Sequence, residues 1–579
     1  MSWICKKCET ENPDTVDVCE VCNAQAPVLS DFDYDLDLIY NEVMFHWKSE
    51  HCEKVYLTLG QKQIDVTGVN SHSMKISDLP QNQIGRFKLM AENKTTIRYS
   101  ATTYYRINME WKGNKHLKRV LIPDTVTAIK YGEFSECSSL ETVVIPNTVN
   151  TIECFAFLDC LSLKQIFIPN SVNAIETGAF VDCSSMQSII VSKDNPVYDS
   201  RDNCNAIIET DRNIIIQGCS STVIPNSVTT IGDHAFRGCS SLKSVTIPDS
   251  VMSIGNLAFD GCSSLKSVTI PDSVTTIGDD AFYNCSSLKS LTIPDSVRSI
   301  GNQAFDGCSS LMSVTIPDSV TTIGDRIFRG CSSLKSLTIP DSVRSIGNQA
   351  FDGCNSLMSV TIPDSVTTIG DYAFRDCSSL KSVTIPDSVT TIGNHAFDGC
   401  SSLMNVNIPD SVTSIGNQAF NGCSSLMSVT IPDSVTSIGV FVFSDCCSLK
   451  SIIVSPENPM YDSRNGCNAI IETATNNVIQ GCLSTILPNS VTGIDNSAFD
   501  GCSNLTNITI PKSITSIGDY AFYNCSSLIN VTIPDSVTTI GDHAFYGCPP
   551  MIITTSRGNR EKLEKLLFYG FYDIKIVEQ

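Results

Sequence analysis

The sequence predicts an α/β solenoid dominated by strands, with two smaller units ahead of it. Three observations lead there. The unit I-P-D-S-V-T-T-I-G-x-x-A-F-x-x-C-S-S-L-x-S-V-T returns every 23 residues. Its proline stands at 123, 146 and 169, at 225 and each 23rd residue to 432, and at 488, 511 and 534, which makes sixteen copies. Ahead of residue 117 the period is absent. A fixed period of this length marks a repeat array, in which a lone coil cannot bury its apolar face and must stack on its neighbours.

Within one coil, Leu242, Val245 and Ile247 follow L-x-x-V-x-I, the strand segment of a leucine-rich repeat. Strand side chains alternate, so Val245 and Ile247 turn inward while Ser244 and Thr246 turn out. Pro248 removes a backbone donor and Asp249-Ser250 is turn chemistry, so the strand ends there. Val228 and Ile231 form a second inward pair. After them Gly232-Asp233 is expected to open a short turn of helix carrying Ala235 and Phe236, with the glycine supplying loose dihedrals and the aspartate an N-cap. Cys239 closes the coil, and sixteen cysteines from Cys137 to Cys548 share its position. One residue repeated per coil reads as a buried structural ladder, because a free cysteine behaves as a small hydrophobe.

The pattern L-x-x-L-x-I-P-x-S-V-x-x-I-x-x-x-A-F-x-x-C resembles the BspA-type leucine-rich repeat over roughly residues 117–550. That resemblance implies a solenoid and, from surface-exposed members of bacteria and protozoan parasites, adhesion to host proteins or other cells. The period by itself implies only the fold.

Residues 1–27 read W-x-C-x2-C-x3-N-x6-C-x2-C, with Trp3, Cys5, Cys8, Asn12, Cys19 and Cys22 in place. Two C-x2-C knuckles can close a tetrahedral thiolate site on zinc, which in so short a segment replaces a hydrophobic core. The pattern resembles the zinc finger of the Ran-binding-protein (nucleoporin) type, whose members bind single-stranded RNA, ubiquitin or a small GTPase. Ubiquitin-binding members carry Thr-Phe after the second cysteine, where this chain has Glu9-Thr10. RNA-binding members present arginine and an aromatic, whereas this finger offers Glu9, Glu11, Asp14, Asp17 and Glu20 against Lys6 and Lys7. A protein partner, or none, is the expectation for it.

Residues 28–34 form an acidic linker. Short alternating segments follow over 35–110, at Glu42 to Trp47, Lys54 to Leu59, Gln63 to Thr67, Ser73 to Ile76, Gly85 to Ala91 and Thr96 to Ile107. They predict a small immunoglobulin-like β-sandwich with Trp47 in its core, serving as a spacer or protein-contact module. His46, His51 and Cys52 stand close together but lack metal-ligand spacing, and read as surface or half-buried residues.

Twice the proline interval widens to 56, adding 33 residues near 191–223 and again near 454–486. Asn195-Pro196-Val197-Tyr198-Asp199-Ser200-Arg201 matches Asn458-Pro459-Met460-Tyr461-Asp462-Ser463-Arg464. Each continues as an apolar hairpin, and a two-residue turn would set Cys204 opposite Cys219 and Cys467 opposite Cys482, open to a disulfide in an oxidising setting and reduced in cytosol. The tail 551–579 reads as a helix from Asn559 to Phe568 and a strand from Asp573 to Val577, an end cap for the last coil.

The formal charge is −22, and eleven of the sixteen proline turns carry Asp. That acidic edge argues against nucleic acid as the rod's partner. No apolar run approaches 18 residues, and the N-terminus lacks the apolar stretch of a signal peptide, so a cytoplasmic location is the expectation, with the cell surface as its alternative. Residues 271–316 and 317–362 differ at five positions, four of them between Asp280 and Asn284, while the strand face barely changes. With Ser and Thr columns edged by Lys243, Lys266, Lys289 and Met312, that face offers no convergent acid, base or nucleophile. The chain is therefore expected to be a non-enzymatic protein-protein interaction scaffold that gains strength through many weak contacts. A passive spacer, an RNA- or ubiquitin-binding regulator acting through the finger, and a binder of polysaccharide or ice lattices are the other classes.

Overall fold

The computed structural model describes residues 111–122, 124–567 and 574–579 in full and, between residues 2 and 105, the backbone of ten strands. The chain divides into two compact units, residues 1–225 and 226–579. In the first, Glu42–Glu50 pairs antiparallel with Val28–Asp37 and with Ser71–Lys75. Lys54–Leu59, Gly85–Glu92 and Thr96–Tyr99 run antiparallel in a second sheet that Ser2–Cys5 joins. The immunoglobulin-like packing expected here, with Trp47 in its core, falls on side chains outside the described residues.

The repeats form stacked coils, each contributing two short strands. Ser244–Thr246 pairs in parallel register with Ser267–Thr269, Ser244 facing Ser267 and Thr246 facing Thr269. On the other side of the coil, Ser253–Ile254 pairs with Thr276–Ile277. Both inward pairs stand where alternation puts them: Val228 and Ile231 are fully buried, and Val245 and Ile247 are buried while Ser244 and Thr246 are exposed. Each Val, Ile, Leu or Phe so buried contributes about 1.5–3 kcal/mol, but only with a neighbouring coil on each side.

Down the centre runs a column of phenylalanines. Phe236, Phe259 and Phe282 stack with ring centroids 5.0 and 5.1 Å apart, and the column continues to Phe443. Shorter columns are Phe134–Phe157–Phe180 and Phe499–Phe522–Phe545. Trp111 stacks on Phe134 at 5.8 Å, so the first column begins one rung before the first proline.

The segment holding Ala235 and Phe236 is a run of turns, where a short helix is expected from the sequence. His234 is the reason: it adopts φ 59°, and its equivalents Gln303, Arg326, Gln349, Tyr372 and His395 lie between 52° and 58°. A left-handed residue stops an α-helix at once. Its N–H is instead satisfied across coils, His234 donating to the carbonyl of Asn256 at 2.9 Å.

Asp233 is likewise no N-cap. Its Oδ1 accepts the N–H of Asn256, one coil on, at 2.7 Å, and Asn256 does the same for Asp279 at 2.8 Å. The ladder continues through Asn302, Asp325, Asn348, Asp371, Asn394 and Asn417 to Val440. From Asp233 to Asn394 the acids alternate with amides, which keeps like charges two coils apart. The preceding glycine is required for space rather than for dihedral freedom: a Cβ on Gly301 would lie 2.3 Å from the Asp279 nitrogen.

Behind the last proline, Met551–Thr555 adds in parallel to Asn530–Thr532, and Ile574–Glu578 adds to Met551–Thr555. The helix between them, Arg560–Leu566, buries Leu563 against the end of the core. Among the described residues no helix is long and apolar enough to cross a membrane.

Candidate functional site

The strand Ser244–Thr246 and its equivalents build a regular face along the second unit. Its Ser and Thr columns are exposed and in register through Ser336, Ser359 and Ser382 and through Thr338, Thr361 and Thr384. Parallel strands lie about 4.8 Å apart, so each column presents a hydroxyl at that spacing. One edge carries Lys243, Lys266, Lys289, Met312, Lys335, Met358, Lys381, Met404 and Met427, all exposed. Aspartates from Asp249 to Asp433 line the other, also exposed. The face is thus neutral in the middle and oppositely charged at its two edges, a polarity visible only once both edges are placed.

The turn side varies instead. Asp306 is 3% exposed and Asp352 is 4% exposed, each neutralised from the next coil, by Arg329 and Arg375 at 2.9 Å. Even so, burial holds both carboxyls above the usual range. Tyr372 stacks on His395 at 4.5 Å with Arg375 over its ring, and His395 Nδ1 contacts Asp398 at 2.9 Å. His234, His395 and His543 all occupy the same left-handed turn position, so the histidines of this unit are turn-side residues and none stands on the strand face.

The cysteine ladder lies in the interior as expected. In the regular coils the thiols donate to the phenylalanine carbonyl of the coil before, as Cys262 does to Phe236 and Cys285 to Phe259, both at 3.2 Å, while Cys137 donates to the Trp111 carbonyl at 3.0 Å. Burial pushes the Cys308 thiol up to about 12. Such thiols are poor nucleophiles and poor metal ligands at neutral pH. In the inserts, Cys204, Cys219, Cys467 and Cys482 are buried and free. The expected two-residue turn is a four-residue loop between Glu209 and Ile214, and a bulge between Ile207 and Ile208 shifts the register. That shift removes the direct opposition expected of Cys204 and Cys219; the second insert repeats it between Ile470 and Ile471.

Cys5, Cys8, Cys19 and Cys22 fall outside the residues whose side chains are described, as do His46, His51 and Cys52. Among the described residues, no group of three or more His, Cys, Asp or Glu is placed to hold a metal.

A stack of parallel-paired coils with a leucine-isoleucine strand motif, a phenylalanine spine and an open hydroxyl-bearing strand face is a leucine-rich-repeat solenoid. The match to known families agrees and narrows it. The family described as BspA type leucine rich repeat region matches residues 107–204, 216–335, 275–403, 344–464 and 471–578, and the chain belongs to it. No curated protein matches the sequence. Among solved structures, it is similar to a leucine-rich repeat protein from Bacteroides ovatus, at 25% identity over 86% of this chain and 100% of that one, with a TM-score of 0.41. It is also similar to a leucine rich cell surface protein from Faecalibacterium prausnitzii, at 30% identity over 64% of this chain and 96% of that one, with a TM-score of 0.40.

Proposed function

We propose that the chain is a non-enzymatic interaction scaffold whose strand face docks an extended protein surface. The in-register hydroxyl columns between a lysine–methionine edge and an aspartate edge support this reading. Each contact on such a face is weak, and repetition over consecutive coils adds them by avidity. Substituting Thr292, Thr338 and Thr384 by Arg blocks three rungs while leaving the inward residues alone. Binding to a partner isolated with the full chain is expected to be lost, with the circular dichroism spectrum unchanged; retained binding overturns the reading.

In a second reading, favoured by membership of the family, the face acts as a cell-surface adhesin. Protease shaving of intact cells separates the two: a rod protected inside the cell excludes adhesion, and a shaved rod excludes a cytoplasmic role.

For the N-terminal segment we propose a zinc site formed by Cys5, Cys8, Cys19 and Cys22, supported by the two C-x2-C knuckles. It would serve as a protein-contact module. Zinc released by acid from the purified chain, and absent after Cys8→Ser with Cys22→Ser, is the expected result; equal zinc in both proteins contradicts it.

A further inference from the structure

The two inserts separate structural residues from residues with another purpose. In the first, Asn195 Nδ2 donates to the carbonyls of Pro169 and Val172, and its Oδ1 accepts from Val197 and Tyr198. Asn458 repeats all four bonds with Pro432, Val435, Met460 and Tyr461. Tyr198 and Tyr461 accept through their hydroxyls from Ile175 and Ile438, and Ser200 and Ser463 accept from Val191 and Val454. Arg201 pairs with Asp199 and Arg464 with Asp462. The shared motif is fully occupied in folding the insert.

A cleft in the first insert combines residues common to both copies with four that differ, Phe167, Lys193, Asp194 and Asn203. The cleft, of about 470 Å³, opens between the strands Gln165–Ile168 and Ser188–Val191 and the loop that follows. Its lining includes Phe167, Lys193 and Asn203, where the second insert has Thr430, Pro456 and Gly466. Phe167 faces Ile190 across the parallel register, both on the outward side. At that outward position the two preceding coils carry Leu121 and Val144, and most coils of the second unit carry Thr. Beside Phe167, Ile190 is half-buried, whereas its counterpart Ile453, beside Thr430, is 52% exposed. Ser188, Asn203 and Asn205 also line the cleft, and among the described residues their side chains make no hydrogen bond. The counterpart of Asn205, Asn468, donates to the carbonyl of Ser484 instead.

We propose that this cleft binds one neutral sugar ring, a hexopyranose unit, with its C–H face against Phe167 and its hydroxyls on Ser188, Asn203 and Asn205. Three features select that chemistry. The volume falls in the range of about 300–1,000 Å³ of small-molecule sites. The amides and hydroxyl both donate and accept, as a sugar hydroxyl does, and a purely apolar ligand would desolvate them without partners. Lys193 and Asp194, adjacent on the rim, cancel in charge, so the cleft selects for no ion.

Saturation-transfer NMR on the full chain with methyl glucoside, methyl galactoside, methyl mannoside and N-acetylglucosamine tests the assignment. At least one is expected to receive saturation, strongest on one ring face, with Phe167→Thr and Asn203→Gly each weakening binding about tenfold. Both variants install the residue that the second insert already carries, so the fold tolerates them, and circular dichroism checks that it does. Saturation transfer to none of the four, or transfer unchanged in both variants, overturns the proposal. Binding of the same sugar displayed as a glycan on a glycoprotein, at equal or greater strength, assigns the site to surface glycans; binding of the free glycoside alone assigns it to soluble sugars.

Discussion

The thiol of Cys331 donates to the carbonyl of Phe305 in the preceding coil at 3.3 Å, and that same carbonyl accepts the N–H of Cys308 within its own coil at 3.2 Å. One backbone oxygen thereby closes its own coil and fastens the next. Cysteine suits the position because it is small and apolar yet carries a weak donor.

Burial and mutual repulsion raise the ladder thiols well above their usual range. Native-state alkylation at neutral pH, read by mass spectrometry, is therefore expected to label Cys154 and Cys447, which are half-buried, and to spare Cys262 through Cys423. Labelling of all these cysteines at similar rates would show that the coils open far more readily than their packing implies.

Truncating the phenylalanine spine should be costly at its middle. Phe328 stacks on Phe305 and Phe351 at 5.6 and 5.7 Å and is fully buried. Phe328→Ala is expected to destabilise the rod by about 3–5 kcal/mol. Urea unfolding is the measurement, and a change within error of zero contradicts the stacking account.

The Asx ladder and the left-handed turn predict opposite signs for neighbouring residues. Asn302→Ala removes the acceptor for the Asp325 N–H and should cost about 1 kcal/mol. Gln303, next to it, is held at φ 58°, so Gln303→Gly should stabilise by about 0.5–1 kcal/mol. Thermal melting of the two variants decides; if the glycine variant is the less stable, the left-handed strain is not what limits that turn.

Asp500 sets a pH dependence. Burial, with Asp445 nearby, raises its carboxyl to about 6. Between the ordinary carboxyl value of about 3.9 and that raised value, the folded state holds a proton that the unfolded state has released. Its contribution therefore favours folding at low pH and is lost as pH rises through about 6. Compared with wild type, Asp500→Asn should melt higher at pH 7.5 and show little difference at pH 4. A difference of the same size at both pH values would contradict the assignment.

Much of the fold was legible in the sequence because alternation and the 23-residue period are properties of one coil. Val245, Ile247, Val228 and Ile231 all lie where the pattern puts them. The misread positions are those whose partner lies in another coil. Asp233 has the sequence setting of an N-cap, and nothing within its own coil reveals that its acceptor serves Asn256. Likewise, the exchange of Tyr283 for Arg329 between near-identical repeats acquires meaning only with Asp306 one coil away. Trp111 was findable: it stands 23 residues before Phe134. The cleft left one trace, the aromatic Phe167 at an outward position that is Leu121 and Val144 in the two preceding coils and mostly Thr in the second unit.

The strand face as the binding surface is tested most directly by photo-crosslinking from two sides of the same coils. A photoreactive residue at Thr315 or Thr361, on the strand face, is expected to trap the same protein, while one at Gln303 or Gln349, on the turn side, traps none of it. Equal capture from both sides, or capture only from the turn side, would contradict the account.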